Sequence, residues 1–350
     1  MNSAICIEDF EYIVSQALPW KKFANKTILI TGSTGFLASY LIEALLYLNQ
    51  QKKNKITIIG MARDKEKAEK RFIKYKNRSD LKMVIQDDVS NPINIRERVH
   101  FVIHTASLSS PKYYNTNPVE TLKPNVLGTY NLLEFSRSQP VESFLYISSG
   151  EIYGIMQAIG FTNETIYGPL DPIDIRSCYA ESKRMGETMC VSWQHQYGTP
   201  TKVARLYHTY GPGIPLNDGR VFADFISNIL NNENIVMKSD GRATRSFCYI
   251  ADTITGFLTI LLQGEDGKAY NLANENAIVS IKKLAEILVD LFPEKKLKIV
   301  FEERQKEDTY MKSKIMINCP DTTKLRSLGW KPHFSLEEGF KRTIESFVSK

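Results

Sequence analysis

Residues 27–38 read Thr27-Ile28-Leu29-Ile30-Thr31-Gly32-Ser33-Thr34-Gly35-Phe36-Leu37-Ala38. A short β-rich apolar run stops at two glycines and continues into a helical pattern from Leu37 to Leu48, the signature of a buried strand entering a helix through a tight turn. Backbone N–H groups at such a turn, together with the positive end of the helix dipole, make a seat for a pyrophosphate. Gly32, Thr34, Gly35, Phe36 and Leu37 are therefore expected to hold a dinucleotide, although the spacing GxxGxxA departs from the common GxGxxG fingerprint.

The same alternation extends outward. Ile56-Thr57-Ile58-Ile59 is a second strand, a basic helical stretch follows, and Met83-Val84-Ile85 is a third strand. Phe101-Val102-Ile103-His104, the helical pattern Val119–Ser136 and Phe144-Leu145-Tyr146-Ile147 repeat strand, helix, strand. Parallel neighbours need crossover helices, so this order predicts an α/β fold with a Rossmann-type, doubly wound parallel sheet. Beyond about residue 190 the regularity loosens, with turn signals at Tyr210-Gly211-Pro212-Gly213 and Asn217-Asp218-Gly219 before a helical pattern from Val221 to Leu230. The expected organisation is an N-terminal helical extension (1–24), a dinucleotide-binding domain (25–190) and a smaller substrate-binding lobe (191–350). No Gly, Ser or Pro-rich linker separates the last two, and they are expected to share one core.

With 350 residues, 43% hydrophobic and 24% charged, the composition is that of an ordinary globular protein. No apolar run approaches the roughly 20 residues that span a bilayer. Residues 1–20 carry Glu8, Asp9 and Glu11 and lack a basic start followed by a long apolar stretch, so the expected location is the cytoplasm rather than a membrane or a secreted compartment. Five scattered cysteines show no CxxC pair and no zinc spacing, and no metal is expected. The basic stretch 52–76 is interleaved with Asp64, Glu66 and Glu69, which reads as a solvated helix and not as a nucleic-acid surface.

After the second strand an acid usually meets the adenosine ribose, yet the sequence runs Gly60-Met61-Ala62-Arg63-Asp64. Arg63 either pairs with a 2′-phosphate, which favours NADP, or stacks on adenine or faces water, which leaves NAD. Asp88-Val89, after the third strand, either meets the adenine amine or is a plain turn former, and Thr105-Ala106-Ser107 is assigned to the rest of the cofactor site. Downstream, Tyr179-Ala180-Glu181-Ser182-Lys183 puts Tyr and Lys four apart on one helix face, where an ammonium favours the phenolate.

These residues resemble the extended short-chain dehydrogenase/reductase family, whose members modify nucleotide-activated sugars, from about Lys26 to the end of the chain. The resemblance implies that Tyr179 accepts a proton during hydride transfer from sugar C4, that Lys183 is its charge partner and ribose anchor, and that Ser149, four before Tyr153 in Ser148-Ser149-Gly150-Glu151-Ile152-Tyr153-Gly154, orients the sugar hydroxyl. Glu151, two after Ser149, points the same way if the strand continues and would supply the acid or base that chemistry at C5 needs. The plainer reading is a capping or salt-bridged surface acid. Glucose-type 4,6-dehydratases have Asp where this chain has Gly150.

Longer strings look most like UDP-glucuronate decarboxylases: Ser110-Pro111 through Asn117-Pro118, Thr121-Leu122-Lys123-Pro124-Asn125, Arg176-Ser177-Cys178-Tyr179, Asn217-Asp218-Gly219-Arg220-Val221 and Thr244-Arg245-Ser246-Phe247-Cys248-Tyr249. By that resemblance Tyr114 and Lys123 face the sugar and Arg220 and Arg245 meet the nucleotide diphosphate; Arg176, close to Tyr179 in the sequence, is a candidate to receive a sugar carboxylate, and His208 and Asn217 are further substrate-binding candidates. His208 stands where the family has Asn, and Ser149-Gly150-Glu151 where its decarboxylases have Thr-Ser-Glu. The expected activity is decarboxylation of a nucleotide-linked glucuronate through a 4-keto sugar, in a homodimer using NAD. A 4,6-dehydratase or epimerase, and a non-catalytic dinucleotide-binding scaffold, are the alternatives.

Overall fold

Helix α1 (Ala4–Ser15) and a 3-10 turn at Trp20–Phe23 precede an alternating run: β1 (Thr27–Thr31), α2 (Phe36–Lys52), β2 (Thr57–Ala62), α3 (Lys65–Arg71), β3 (Leu81–Ile85) and β4 (Phe101–His104). Next come α4 (Lys112–Thr116), α5 (Pro118–Lys123), α6 (Thr129–Ser138), β5 (Ser143–Ser149), α7 (Ser177–Tyr197) and β6 (Thr201–Leu206). The computed structural model describes residues 4–156, 160–302 and 315–348.

The second half contains β7 (His208–Tyr210), α8 (Val221–Leu230), β8 (Ile235–Met237), β9 (Thr244–Tyr249), α9 (Ile250–Gln263) and β10 (Lys268–Leu272). It ends with β11 (Ile278–Ser280), α10 (Ile281–Asp290), β12 (Ile299–Phe301), α11 (Thr323–Arg326) and α12 (Leu336–Val348).

Seven strands form one sheet in the order β10-β6-β5-β4-β1-β2-β3, every pair parallel. This is the Rossmann-type doubly wound sheet that the alternation predicts. Strand order reverses between β1 and β4, and in such sheets the crevice beyond the carboxyl ends at this switch point is where ligands bind. The ends of β1, β4 and β5 carry the residues at issue. Because helices cover both faces, β1, β4 and β5 are almost continuously buried, as a central parallel strand must be. Two members, β6 and β10, come from beyond residue 190, so the sheet runs across the division that the loosening pattern marks.

The helical pattern Val119–Ser136 is one periodic stretch in the sequence but three pieces in the fold. A π-helical turn at Pro124–Gly128 separates α5 from α6. Pro124 lacks an N–H and its ring crowds the preceding turn, and a wide turn relieves both. The smaller lobe gathers β11, β9 and β7 into one sheet and pairs β12 with β8. Its core is aromatic: Tyr210 stacks on Phe340 at 3.9 Å, with Phe247 edge-on to both.

Helix α1 is tied into both halves through a buried charge. Asp9 accepts hydrogen bonds from Tyr40 of α2 (2.5 Å), Tyr249 at the end of β9 (2.7 Å) and Arg342 of α12 (2.7 Å). Tyr12 donates to Asp252 of α9 at 2.9 Å, and the same carboxylate takes the N–H groups of His333 and Phe334. Among the described residues no helix is long and apolar enough to cross a membrane, and no cluster of His, Cys, Asp and Glu has the arrangement of a metal site.

Candidate active site

At the end of β1 the chain turns with Gly32 at φ +64°, in the left-handed region where side chains are disfavoured. A Cβ there would lie 2.8 Å from the Cα of Ala106, so glycine is required by conformation and by space alike. Gly35 begins α2 without a side-chain cap, leaving the helix's opening N–H groups to whatever occupies the crevice. Thr34 is half-buried on this turn, and Phe36 and Leu37 pack against the main core.

The turn after β4 is bound to β1. Thr105 Oγ1 donates to the Thr31 carbonyl at 2.5 Å, and the Ala106 N–H donates to Thr31 Oγ1 at 3.2 Å. Ser107 Oγ is buried and has no hydrogen-bond partner among the described residues. A cradle that a single methyl would fill, an uncapped helix start and an orphaned hydroxyl beside them fit the pyrophosphate and ribose of a dinucleotide. Elsewhere on this rim, Asp88 caps its own turn through the Ser90 N–H (2.8 Å), and Val89 packs on Gly128. Arg63 is exposed, while Asp64 caps α3 through the Lys67 N–H at 2.9 Å.

Helix α7 delivers the Tyr and the Lys. Both are buried, and Lys183 Nζ donates to the Ile147 carbonyl of β5 at 2.7 Å. Burial pulls the Lys183 ammonium down to about 7, against the opposing pull of Glu187. Burial pushes the Tyr179 phenol up to about 12; a hydrogen bond with Ser149 lowers it, the Glu151 charge raises it and Arg220 lowers it. Tyr179 stacks on Tyr114, ring centroids 5.1 Å apart, and Tyr114 donates to the Ser109 carbonyl at 3.0 Å.

Glu151 does not continue the strand. β5 ends at Ser149, and Gly150–Tyr153 forms a 3-10 turn capped by Ser149, whose Oγ accepts from the Glu151 N–H at 3.2 Å. The expectation that both side chains share one face of a strand is thus corrected, and the cause is local packing. The Tyr207 ring lies 2.7 Å from where a Cβ on Gly150 would sit, so the chain turns beneath it. Glu151 still reaches the site, held by Arg176 in a two-pronged ion pair of 3.1 and 3.2 Å. Arg176 also lies over the Tyr114 ring at 5.8 Å.

The remaining cations come from the lobe. Arg220 is anchored to Asp218 at 2.6 Å and to the Ser109 carbonyl at 2.9 Å, so it spans the two halves. Lys112 donates to the carbonyl of Asn217 at 2.7 Å, and Ser110 to that of Asp218; Asn217 itself is exposed. His208 on β7 faces Phe222 and Phe247. Burial and the charges of Arg245 and Arg220 push it well below the usual histidine range, and its Nδ1 has no hydrogen-bond partner among the described residues. Arg245 Nη1 donates to the Thr244 carbonyl at 2.7 Å. Ser149, Glu151, Tyr179, Arg176, Tyr114 and Arg220 converge, and Arg245 and His208 adjoin them. Lys123, exposed at the end of α5, stands apart.

Two nearby residues escaped the sequence reading. Buried Asn125, on the wide turn, donates to Ser182 of α7 at 3.0 Å. His104, at the end of β4, donates through Nε2 to the Pro124 carbonyl at 3.0 Å and pairs through Nδ1 with Thr31 Oγ1 at 2.8 Å. An Asn inside a helical pattern and a His closing an apolar strand were the signals available.

Residues 28–273 match the model of the NAD dependent epimerase/dehydratase family. The chain belongs to that family. The match covers every strand of the large sheet and the whole convergent cluster, and makes NAD the dinucleotide that the Gly32 cradle fits. Among relatives of the NAD dependent epimerase/dehydratase family, UDP-glucuronic acid decarboxylase 5 of Arabidopsis thaliana is 34% identical over 327 residues, 93% of this chain and 90% of that protein. The UDP-glucose 4-epimerase of Thermotoga maritima, solved with UDP-glucose, superposes with a TM-score of 0.77 at 25% identity, covering 92% of this chain and 98% of its own. UDP-glucuronic acid 4-epimerase from Bacillus cereus, in complex with UDP-glucuronic acid and NAD, shares the fold at a TM-score of 0.78 and 21% identity, over 92% of this chain and 99% of that one.

Proposed function

We propose that the protein decarboxylates UDP-glucuronate to a UDP-pentose of the UDP-xylose type by way of a 4-keto sugar. The observation that carries this reading is the Glu151–Arg176 pair beside Tyr179. An arginine fork already holding a carboxylate is matched in geometry to the carboxylate of a uronic acid, and its present partner is an acid suited to proton transfer at C5.

Gly32, Gly35, Thr105 and Ser107 would hold NAD, which when bound takes the hydride from sugar C4 and returns it. Tyr179 accepts the C4 hydroxyl proton, and Ser149, beside the Tyr179 phenol, orients that hydroxyl. Burial holds the phenol high, so its ionisation needs positive charge close by, which Lys183 supplies when protonated. Oxidation at C4 makes the uronate a β-keto acid. Its C5–C6 bond breaks, CO2 leaves, and the electron pair passes to the C4 oxygen as an enolate. Glu151 then manages the proton that C5 gains. Arg176 orients the departing carboxylate, and Arg220 and Arg245 meet the diphosphate.

Mass spectrometry of products from purified, NAD-loaded protein tests the reading. The expected product from UDP-glucuronate is lighter by CO2, and absent when Tyr179 is replaced by Phe. Loss of water, or unchanged mass with a new stereoisomer, would replace decarboxylation by dehydration or epimerisation; an unaltered biological effect of Y179F would favour the scaffold. The five free cysteines suit a reducing cytoplasm. Exposed Leu127 and Tyr130 on one side and Met185 and Val191 on α7 support a homodimer through these helices, to be read from solution mass before and after Met185→Arg.

A further inference from the structure

Four residues beyond Lys183, and so on the same face of α7, stands Glu187, with its side chain 12% exposed. One carboxylate oxygen accepts the Ser148 hydroxyl of β5 at 2.5 Å. Arg205 of β6 grips both oxygens, at 3.0 and 3.2 Å through Nε and at 2.7 Å through Nη2. Arg205 is fixed in turn by the hydroxyls of Tyr153 and Tyr167 and by the Glu164 carbonyl, each at 2.9 Å. Ser148 lies between Ile147, whose carbonyl holds the Lys183 ammonium, and Ser149.

We propose that Glu187 is the positioning residue of this site: it clamps the Lys183 face of α7 to the end of β5 and supports the Lys183 ammonium with its carboxylate. This rests on the reading of Tyr179 and Lys183 given above. The argument is one of placement. A single carboxylate joins the helix that carries Tyr179 and Lys183 to the strand that carries Ser149, at the residue next to Ser149. Movement of either element shifts Ser149 relative to Tyr179, and displacements of that kind are costly to catalysis.

Charge makes the second half of the argument. The groups around Lys183 are Tyr179 and Cys190 on its own helix, Tyr146 on β5 and His104 on β4. Burial raises the Tyr146 phenol and the Cys190 thiol well above their ordinary values and lowers His104 to about 3, so all three are neutral. Glu187 is therefore the carboxylate that offsets the cost of burying the ammonium. A buried ion pair that serves only the fold would not do this for Lys183.

Two variants separate the roles. Glu187→Gln keeps the shape and an acceptor for Ser148 but removes the charge, whereas Arg205→Lys breaks the fork and keeps the charge. Trace labelling with acetic anhydride across pH, with the Lys183 peptide quantified by mass spectrometry, reads the titration of that amine without any substrate. The expected result is a midpoint lower by about one pH unit in E187Q and unmoved in R205K, although both lower the melting temperature. Turnover at pH 7.5 falls about tenfold in E187Q and is recovered about one unit lower. If E187Q does not fold, the double variant E187Q/R205Q, which leaves no unpaired buried charge, carries the same expectation. Equal midpoints in wild type and E187Q, or equal shifts in E187Q and R205K, overturn the proposal. Because the labelling needs no sugar, a shifted midpoint in a protein inactive on UDP-glucuronate sinks only the decarboxylase reading.

Discussion

Replacing Gly32 by Ala separates what the glycine turn contributes to folding from what it contributes to the cofactor site. Two costs add in this variant. A non-glycine residue in the left-handed region costs about 1–2 kcal/mol. The new Cβ, 2.8 Å from Ala106 Cα and 3.0 Å from its nitrogen, meets backbone that Thr31 and Thr105 hold in place, an overpacking worth about 1–3 kcal/mol. The sum is about 2–5 kcal/mol. Gly198, at the end of α7, supplies the internal standard: its φ is +69°, yet a Cβ there meets nothing within 4 Å. Gly198→Ala therefore pays the conformational cost alone, about 1–2 kcal/mol. Urea unfolding gives the stabilities, and calorimetric titration with NAD gives the affinities. G32A is expected to lose more stability than G198A and at least about tenfold in NAD affinity, equivalent to about 1.4 kcal/mol; G198A should bind NAD as the wild type does. Equal stability losses with unchanged NAD binding in both variants would refute the cradle.

Three further outcomes follow from particular contacts. Arg176→Met should weaken UDP-glucuronate by about tenfold or more relative to UDP-glucose, since only the former offers a carboxylate to the fork; calorimetry showing equal losses for both would remove Arg176 from uronate recognition. His104 stays neutral in the fold, at about 3, against about 6.5 unfolded. The unfolded chain therefore takes up a proton first, and stability is lost as pH falls below 6.5. At pH 5.5 the loss is about 1.4 kcal/mol, and urea midpoints at pH 7.5 and 5.5 should diverge less in His104→Gln by that amount; an unchanged slope contradicts the assignment. Asp9→Asn removes the charge that Arg342 answers from α12, although Glu8 remains bonded to the same guanidinium at 2.8 Å. A loss of about 3 kcal/mol in urea unfolding is expected, and a loss under about 1 kcal/mol would show that Asp9 is incidental.

What the sequence disclosed is what short-range patterning encodes. The strand at 27–30, its glycine turn and the helix at Val221–Leu230 were readable because apolar spacing and turn residues act over a few positions. Tyr179 and Lys183 were readable for the same reason, being one helical turn apart. The Glu151–Arg176 pair spans 25 residues and the Glu187–Arg205 fork joins a helix to a strand 18 residues on, and neither distance leaves a periodic trace. Glu151 was reached on a wrong premise, a continuing strand, because the deciding contact is the Tyr207 ring over Gly150. The wide turn at Pro124–Gly128 was hidden by an apolar pattern that suits an unbroken helix equally well.

The tethering of α1 has a consequence for taking the molecule apart. Its grip on the rest is carried by the buried face of Cys6, Phe10, Ile13 and Val14 and by Asp9 and Tyr12, which reach α2, β9, α9 and α12, and not by the short connector that follows Ser15. Cut at that connector, α1 should act as a peptide cofactor: residues 1–19 supplied separately would re-dock into a remainder weakened without them, making the protein a two-piece reporter whose reassembly signals that both halves have folded.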